Sequence, residues 1–356
     1  MAMYLTPAEQ EMFDGKRGPL TQKCMKVLVT LGEIYGAKRM VKVRNVHFPG
    51  VSYRVAGDAG LEYVCDASEQ GSFCVPSTLN TIGIDCFDME SLQFDKEFCK
   101  GQLKLNEAYE RMGAIPTYTC TPYVVGGCPG FGEHVAWGES SAIIYVNSVI
   151  GARTNREGGP TALAAAVCGC VPEYGFHLNE NRCATHLIQV DYSLKTNRDF
   201  AVMGYYVGNK VGNKVPCFTG ITERPIVEQY KALGAALASS GGIALYHIEG
   251  FTPEAPSKEV VLKDEYETVY FGKEEYTEVE KFFTLREPAD LVVIGCPHCT
   301  INEVVEIAKL VEGKHVKIDM WVCLSHQIYA LVERMGYVKT LVDAGVTFVR
   351  DTCPIL

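Results

Sequence analysis

The sequence predicts an α/β protein of several domains, built on parallel sheets flanked by helices. Three observations carry this. Apolar runs bounded by glycine alternate along the chain with patterns of helical spacing. The last third reads strand, helix, strand, helix, strand, an order that joins parallel strands through right-handed crossovers. A length of 356 residues, at roughly 100–200 per domain, accommodates two or three cores.

Taken in order, Leu20–Tyr35 has apolar residues at helical spacing, with Gly36 placed to cap its end. Val41–Gly50 reads as a strand leaving into a Pro-Gly turn. Asp95–Met112 is a charged amphipathic helix stopped by Gly113. Ile143–Ile150 is a buried strand or helix, which periodicity alone does not separate. Gly158-Gly159-Pro160 feeds a helix, with Pro160 near its first position. Leu291–Ile294 is a short strand, followed by GCPHC and a helix from Asn302 to Val311 closed by Gly313. His315–Cys323 reads as a strand, His326–Met335 as a helix and Val346–Val349 as a last strand. No internal repeat or low-complexity linker marks a boundary. The reading divides the chain into an N-terminal α/β region at 1–115, a region of candidate site loops at 116–220 and a C-terminal α/β domain at 221–356. Segments 195–225 and 254–280 are the expected connectors.

Charge and composition exclude several functions. With 33 basic and 43 acidic residues, the net charge is −10, and no Lys/Arg run offers a grip on nucleic acid or anionic lipid. No stretch of about 20 apolar residues is present to span a membrane. The start, MAMYLTPAEQEMFDGK, lacks the basic and apolar regions of an export signal. Fifteen cysteines, an odd number scattered through a long chain, do not resemble a secreted disulfide scaffold. Together these features predict a cytoplasmic protein with reduced thiols. Cys24, Cys65, Cys74, Cys86, Cys168 and Cys183 are expected to be ordinary packing residues.

Four other cysteines share a local setting. Cys296 and Cys299 follow the strand Leu291–Ile294, Cys353 follows Val346–Val349, and Cys120 ends the strand-like PTYTC. Ligands of open α/β sheets bind beyond the carboxyl ends of strands, so these thiols are placed to converge on one crevice. Cys296 also lies near a helix N-terminus, which favours thiolate. Gathered thiolates suit an iron–sulfur cluster. The alternative is a set of unrelated core thiols near loop ends. Cys-Pro-His-Cys after a strand also suits a thiol–disulfide oxidoreductase, but that fold wants about 80 residues after the motif. Only 57 follow Cys299. A zinc site lacks the second CxxC that would complete four ligands.

A second candidate is Ser148–Pro160, SVIGARTNREGGP. Arg153 and Arg156 flank Asn155 before a glycine-rich helix entry, a pattern suited to a small anionic substrate. Glu133 and His134 are adjacent and able to do acid–base work. Asp58, in Gly57–Gly60, and Asn80, after Thr78-Leu79, lie in polar, turn-rich segments.

GVSYRVAGDAG (50–60), TCTPY (119–123), FGEHVAWGESSAIIYVNSVIGARTNREGGPTAL (131–163) and GCPHCT (295–300) resemble the large subunit of the aconitase X family. The likeness runs from MYLT at Met3 to DTC at Cys353, and the 131–163 block is its most specific part. The resemblance implies an aconitase-like fold of parallel sheets and a hydro-lyase working at an iron or iron–sulfur centre. The cluster expected is 4Fe–4S, with lower nuclearity or a single iron as alternatives. It places the ligands at Cys120, Cys296 and Cys353, with Cys299 in reserve. It assigns Asp58, Asn80, Ser148, Arg153, Asn155 and Arg156 to substrate, and Glu133 and His134 to the leaving hydroxyl. Two activities fit, dehydration of mevalonate 5-phosphate and, as the alternative, of cis-3-hydroxy-L-proline. The chain opens at once on large-subunit sequence, so the expected partner is a separate small swivelling subunit carrying the base serine. Large subunits of this family are also expected to continue for several tens of residues past DTC.

Overall fold

The structure is a computed structural model that describes residues 3–90, 92, 94–284 and 287–355. Three parallel sheets organise it, each with its own core.

The N-terminal sheet has the order Ser77–Leu79, Val46–Phe48, Ala136–Trp137, all parallel. Helices Pro19–Ile34, Tyr53–Gln70, Lys96–Arg111 and Gly159–Cys168 surround it. Their start and stop signals act as the sequence suggests. Asp95 Oδ1 accepts the Phe98 N–H at 2.8 Å, and Gly36 adopts φ 70° past the end of Pro19–Ile34. The core gathers Met25, Leu28, Phe48, Leu79 and Leu105, none of them exposed. The expected strand Val41–Gly50 is instead two strands. Met40–Lys42 pairs antiparallel with Cys170–Pro172, and only Val46–Phe48 joins the parallel sheet. Asn45 marks the break, its side-chain amide bonding Gly127 O and Trp137 Nε1.

The middle sheet is fully parallel, in the order His247–Ile248, Pro216–Thr219, Ala184–Val190, Leu262–Phe271. Segments 195–225 and 254–280, expected as connectors, hold parts of this unit. They supply helix Asn197–Val211, strand Pro216–Thr219, strand Leu262–Phe271 and helix Lys273–Phe282. In 254–280 the charge belongs to the exposed edge strand Leu262–Phe271 and to helix Lys273–Phe282 rather than to a linker. Helices Asn197–Val211 and Val227–Gly241 pack so closely that a Cβ on Gly204 would meet Leu233 O at 2.8 Å.

The C-terminal sheet takes Leu291–Ile294, Asp319–Leu324 and Val346–Arg350 in sequence order, all parallel, as the strand–helix alternation predicts. Its second strand starts at Asp319 rather than His315, and an extra helix, Tyr337–Asp343, follows His326–Arg334. The segment that periodicity left undecided is the helix Ser140–Tyr145 continued by a π-helical turn, Val146–Ile150, and ended by Gly151 at φ 74°. Among the described residues no helix is long and apolar enough to cross a membrane.

The N-terminal and C-terminal sheets are joined at their carboxyl ends. Ile82 N–H donates to Asp351 O at 2.9 Å. Buried Asp85 accepts the backbone N–H and the Nε of Arg350 through Oδ2, at 2.9 and 3.0 Å. Two strand ends are thereby fixed against each other, and the candidate site lies between them.

Candidate active site

A cavity of about 580 Å3 opens at this junction. Asn80, one residue past strand Ser77–Leu79, and Glu139, two past Ala136–Trp137, enter it from the N-terminal sheet. Cys296 and Cys353 enter from the C-terminal sheet, just beyond strands Leu291–Ile294 and Val346–Arg350. Cys120 arrives on an extended segment that runs beside Leu79, with Thr119 N–H bonded to Leu79 O at 3.2 Å. Ala201, Ala232, Ala235 and Ala236, from the middle unit's two closely packed helices, form an apolar wall. Neither arginine nor lysine is among the residues lining the cavity.

The backbone is strained at two of the three cysteine loops. Tyr118, at φ 42°, and Asp351, at φ 64°, are the non-glycine residues with positive φ among those described. Each lies two residues before a cavity cysteine. Such conformations cost of order 1–3 kcal/mol and persist where surrounding contacts over-determine them. Here Tyr118 Oη bonds Glu110 at 2.6 Å, and Asp351 Oδ1 accepts the His326 N–H at 2.7 Å.

All fifteen cysteines are free thiols. Burial pushes the Cys120 thiol well above its usual range, and the Glu139 carboxylate and the neighbouring Cys296 and Cys353 push the same way. The His298 N–H, 3.2 Å from Cys120 Sγ, opposes them. Burial likewise raises Cys296, followed by Cys353 and Glu139. As a donor set, three soft thiols around one cavity, with no arginine or lysine in its lining to pair with them, fit iron–sulfur ligation. Asn80 also lines the cavity, and its Oδ1 is buried without a hydrogen-bond partner.

Cys299 is elsewhere. It is 1 % exposed and packs in the C-terminal core with Val304, Ile307 and Leu324. Its N–H donates to Cys323 O at 2.9 Å. The following helix begins at Ile301, so Cys299 rather than Cys296 lies beside its N-terminus. Cys296 is exposed and lines the cavity, so the two thiols of CPHC occupy different surroundings.

The structure does not bring the arginine loop to the cysteines. Asn147 clamps the loop from inside the π-helical turn. Its Nδ2 donates to Thr154 O and Ala244 O, and its Oδ1 accepts the Thr154 N–H, all at 3.0 Å. Arg153 Nη1 donates to His177 O at 3.2 Å. Asn155 bonds Tyr174 O and the Phe176 N–H, and Arg156 Nη2 bonds Gly242 O. At the centre is Arg182, 4 % exposed, which forks onto Glu254 and also bonds Asn147 O and Ala152 O. Arg153 and Arg156 thus each bond one backbone carbonyl, Arg153 Nε is buried without a partner, and Arg182 holds the one carboxylate, Glu254, where the N-terminal region meets the middle unit.

The remaining candidates lie outside the cavity. Ser148 is buried and accepts the Tyr246 N–H at 2.9 Å. Asp58 is exposed and accepts the Tyr53 hydroxyl. Glu133 accepts the Gly130 N–H at 2.7 Å and lies 3.9 Å from Arg44. His134 Nδ1 is 2.9 Å from His177 Nδ1. Burial, then Arg153, lowers His134, and His177 falls to about 3, chiefly through burial. Both imidazoles are neutral at pH 7.

Sequence reasoning missed Glu139, Ser140 and Ser141. Glu139 caps helix Ser140–Tyr145, accepting the Ala142 N–H and the Ser141 hydroxyl at 2.7 Å through Oε2. The signal was in the GESS segment, an acidic residue directly before a helix start and after a strand.

Comparison with known proteins agrees with this architecture. The profile of the aconitase X first domain matches residues 2–180, the second domain 184–281 and the third 289–356. The chain belongs to the aconitase X family. The three matched segments are the units built on the three parallel sheets described above. The chain is 45 % identical over 362 residues to the phosphomevalonate dehydratase large subunit of Methanocaldococcus jannaschii, covering 99 % of this chain and 90 % of the relative. It is 30 % identical to the cis-3-hydroxy-L-proline dehydratase of Pseudomonas aeruginosa, covering 97 % of this chain but 61 % of that protein. The crystal structure of Thermococcus kodakaraensis aconitase X in its holo form superposes with a TM-score of 0.91 at 41 % identity, over 99 % of this chain and 89 % of that one. The aconitase-like fold expected from the sequence is thus observed.

Proposed function

We propose that this chain is the large, cofactor-bearing subunit of a hydro-lyase that dehydrates mevalonate 5-phosphate. The observation that carries the reading is the arrival of Cys120, Cys296 and Cys353, from three separate loops, in one cavity. The substrate follows the more similar relatives, at 45 % identity, rather than the hydroxyproline enzymes at 30–31 %.

Cys120, Cys296 and Cys353 would hold an iron–sulfur cluster. When bound, such a cluster supplies a Lewis acid that makes hydroxide a better leaving group. The chain's own groups do the rest. Asn80, which lines the cavity, is placed to contact the substrate and fix its orientation. The alanine wall restricts water around the reacting carbons. Glu139, already held by three donors, keeps a carboxylate beside the thiols and disfavours a misplaced anionic substrate group.

No base is assigned within this cavity. The separate small subunit is proposed to swing over it and deliver the serine that removes the proton. The arginine loop, with His134, Asn155 and Arg182, is proposed to act as the strut on which the cavity wall rests.

The test is the two-subunit complex, reconstituted anaerobically with ferrous iron and sulfide and assayed on mevalonate 5-phosphate and cis-3-hydroxy-L-proline. The reading expects water loss from the first substrate. Turnover of hydroxyproline alone, or full activity in a complex free of iron, would overturn it.

A further inference from the structure

We infer that His298 is the positioning residue that holds the three cysteine loops in register, an inference that rests on the cofactor reading above. Its imidazole is fully buried. Nε2 lies 3.0 Å from Thr352 O, a carbonyl that can only accept, so the proton sits on Nε2. Nδ1 is left with a lone pair and accepts the Thr119 hydroxyl at 3.1 Å. The Thr119 oxygen in turn accepts the Thr121 N–H at 3.2 Å. The backbone N–H of His298 donates to Cys120 Sγ, also at 3.2 Å.

The partners are what distinguish this residue from an ordinary core histidine. Thr119 immediately precedes Cys120, Thr352 immediately precedes Cys353, and His298 itself is two residues after Cys296. One side chain thereby ties loops 179 and 54 residues away in sequence to its own. An imidazole suits this because it is rigid and presents a donor and an acceptor on different edges of one ring. Lys231, buried on helix Val227–Gly241, braces the same loop from outside. Its ammonium donates to Pro297 O at 3.3 Å and His298 O at 2.9 Å, and it pairs with Glu303. His298 touches no residue expected to meet substrate, so its effect is on the placement of the thiols.

Groups that orient metal ligands typically change metal retention by about 10- to 100-fold when removed. The test uses the two-subunit complex carrying Thr119→Val, His298→Gln or His298→Phe, reconstituted anaerobically beside the wild type. Bound iron and sulfide per chain, the visible and EPR spectra, and the rate of cluster loss in air or chelator are read, with circular dichroism as the folding control. Thr119→Val removes the hydroxyl that bonds Nδ1 and, with it, the acceptor of the Thr121 N–H, and is expected to lose its cluster about 10-fold faster with an altered spectrum. His298→Phe is expected to lose it about 100-fold faster, and His298→Gln, whose amide can still donate to Thr352 O, to fall between. If His298→Phe does not fold, Thr119→Val and His298→Gln decide. Variants with wild-type loading, spectrum and loss rate would overturn the positioning role while leaving the cofactor reading intact. A wild-type complex that takes up neither iron nor sulfide would overturn both.

Discussion

Cys120, Cys296, Cys353 and Asn80 line one cavity at the junction of two sheets. Around Arg182 the arrangement differs. Asn147, Asn155, Arg156 and Arg182 are at least as polar and bond to the protein itself, while Arg153 Nε, His177 Nε2 and His247 Nδ1 are buried beside them without a partner. The two regions are near neighbours, since Glu139 and Ser141 belong to the same segment that turns at Gly151 into the arginine loop. Polarity alone therefore does not separate a site from a strut. What differs is the chemistry that the fold sends to each: three thiols line the cavity, whereas the groups around Arg182 bond mainly to backbone carbonyls and to Glu254.

This contrast can be broken by mutation in either region. Replacing Cys120 or Cys353 with serine is expected to lower turnover by roughly a thousandfold, about 4 kcal/mol, while the iron-free chain unfolds at nearly the wild-type urea concentration. Rates within tenfold of wild type would contradict the ligand set. Glu254→Gln should do the opposite. It leaves the Arg182 guanidinium buried without its carboxylate, a loss of about 3–5 kcal/mol in urea unfolding, with iron loading per folded chain unchanged. A variant with normal stability would show that Arg182 is not the hub. Asn80→Ala should lower kcat/KM about 100-fold and shift stability by less than about 1 kcal/mol, since its Oδ1 has no partner to lose.

Proton uptake sharpens the comparison further. Burial brings His47 and His177 down to about 3, from an ordinary 6.5. The unfolded chain therefore binds protons first as pH falls, and the folded state loses stability from about pH 6.5 downward. Each histidine contributes roughly 1.4 kcal/mol per pH unit within that window. Urea midpoints at pH 7 and 5.5 should differ accordingly, and less so in His177→Phe. A flat profile would mean that these imidazoles reach solvent. The smallest effect belongs to Arg156→Met. Arg156 is exposed and bonds one carbonyl, so stability should move by under about 1 kcal/mol and turnover by less than about twofold. A hundredfold loss would return this residue to the substrate.

The parts of the fold legible in the sequence were those set by local rules. The C-terminal strand–helix alternation and the glycine stops at 36, 113 and 313 depend on neighbours a few residues away. Three of the four strand-end cysteines reached the cavity for the same reason, since the carboxyl end of a parallel strand is where such crevices open. Cys299 did not, because the backbone turn that seats its N–H on Cys323 O faces the core, and three residues of spacing cannot reveal a facing. The arginine loop misled for a related reason. Its charge is visible in sequence, but its direction is set by Asn147 and by Arg182 and Ala244, up to 97 residues away. The break in Val41–Gly50 likewise depends on Trp137, whose indole binds Asn45.

The most direct test is the iron and acid-labile sulfide content of the anaerobically reconstituted complex across single serine variants of Cys120, Cys296, Cys299 and Cys353. The account predicts that wild type and Cys299→Ser retain both elements equally, and that each of the other three loses most of them. Loading that survives Cys120→Ser, Cys296→Ser or Cys353→Ser, or that depends on Cys299, would contradict it.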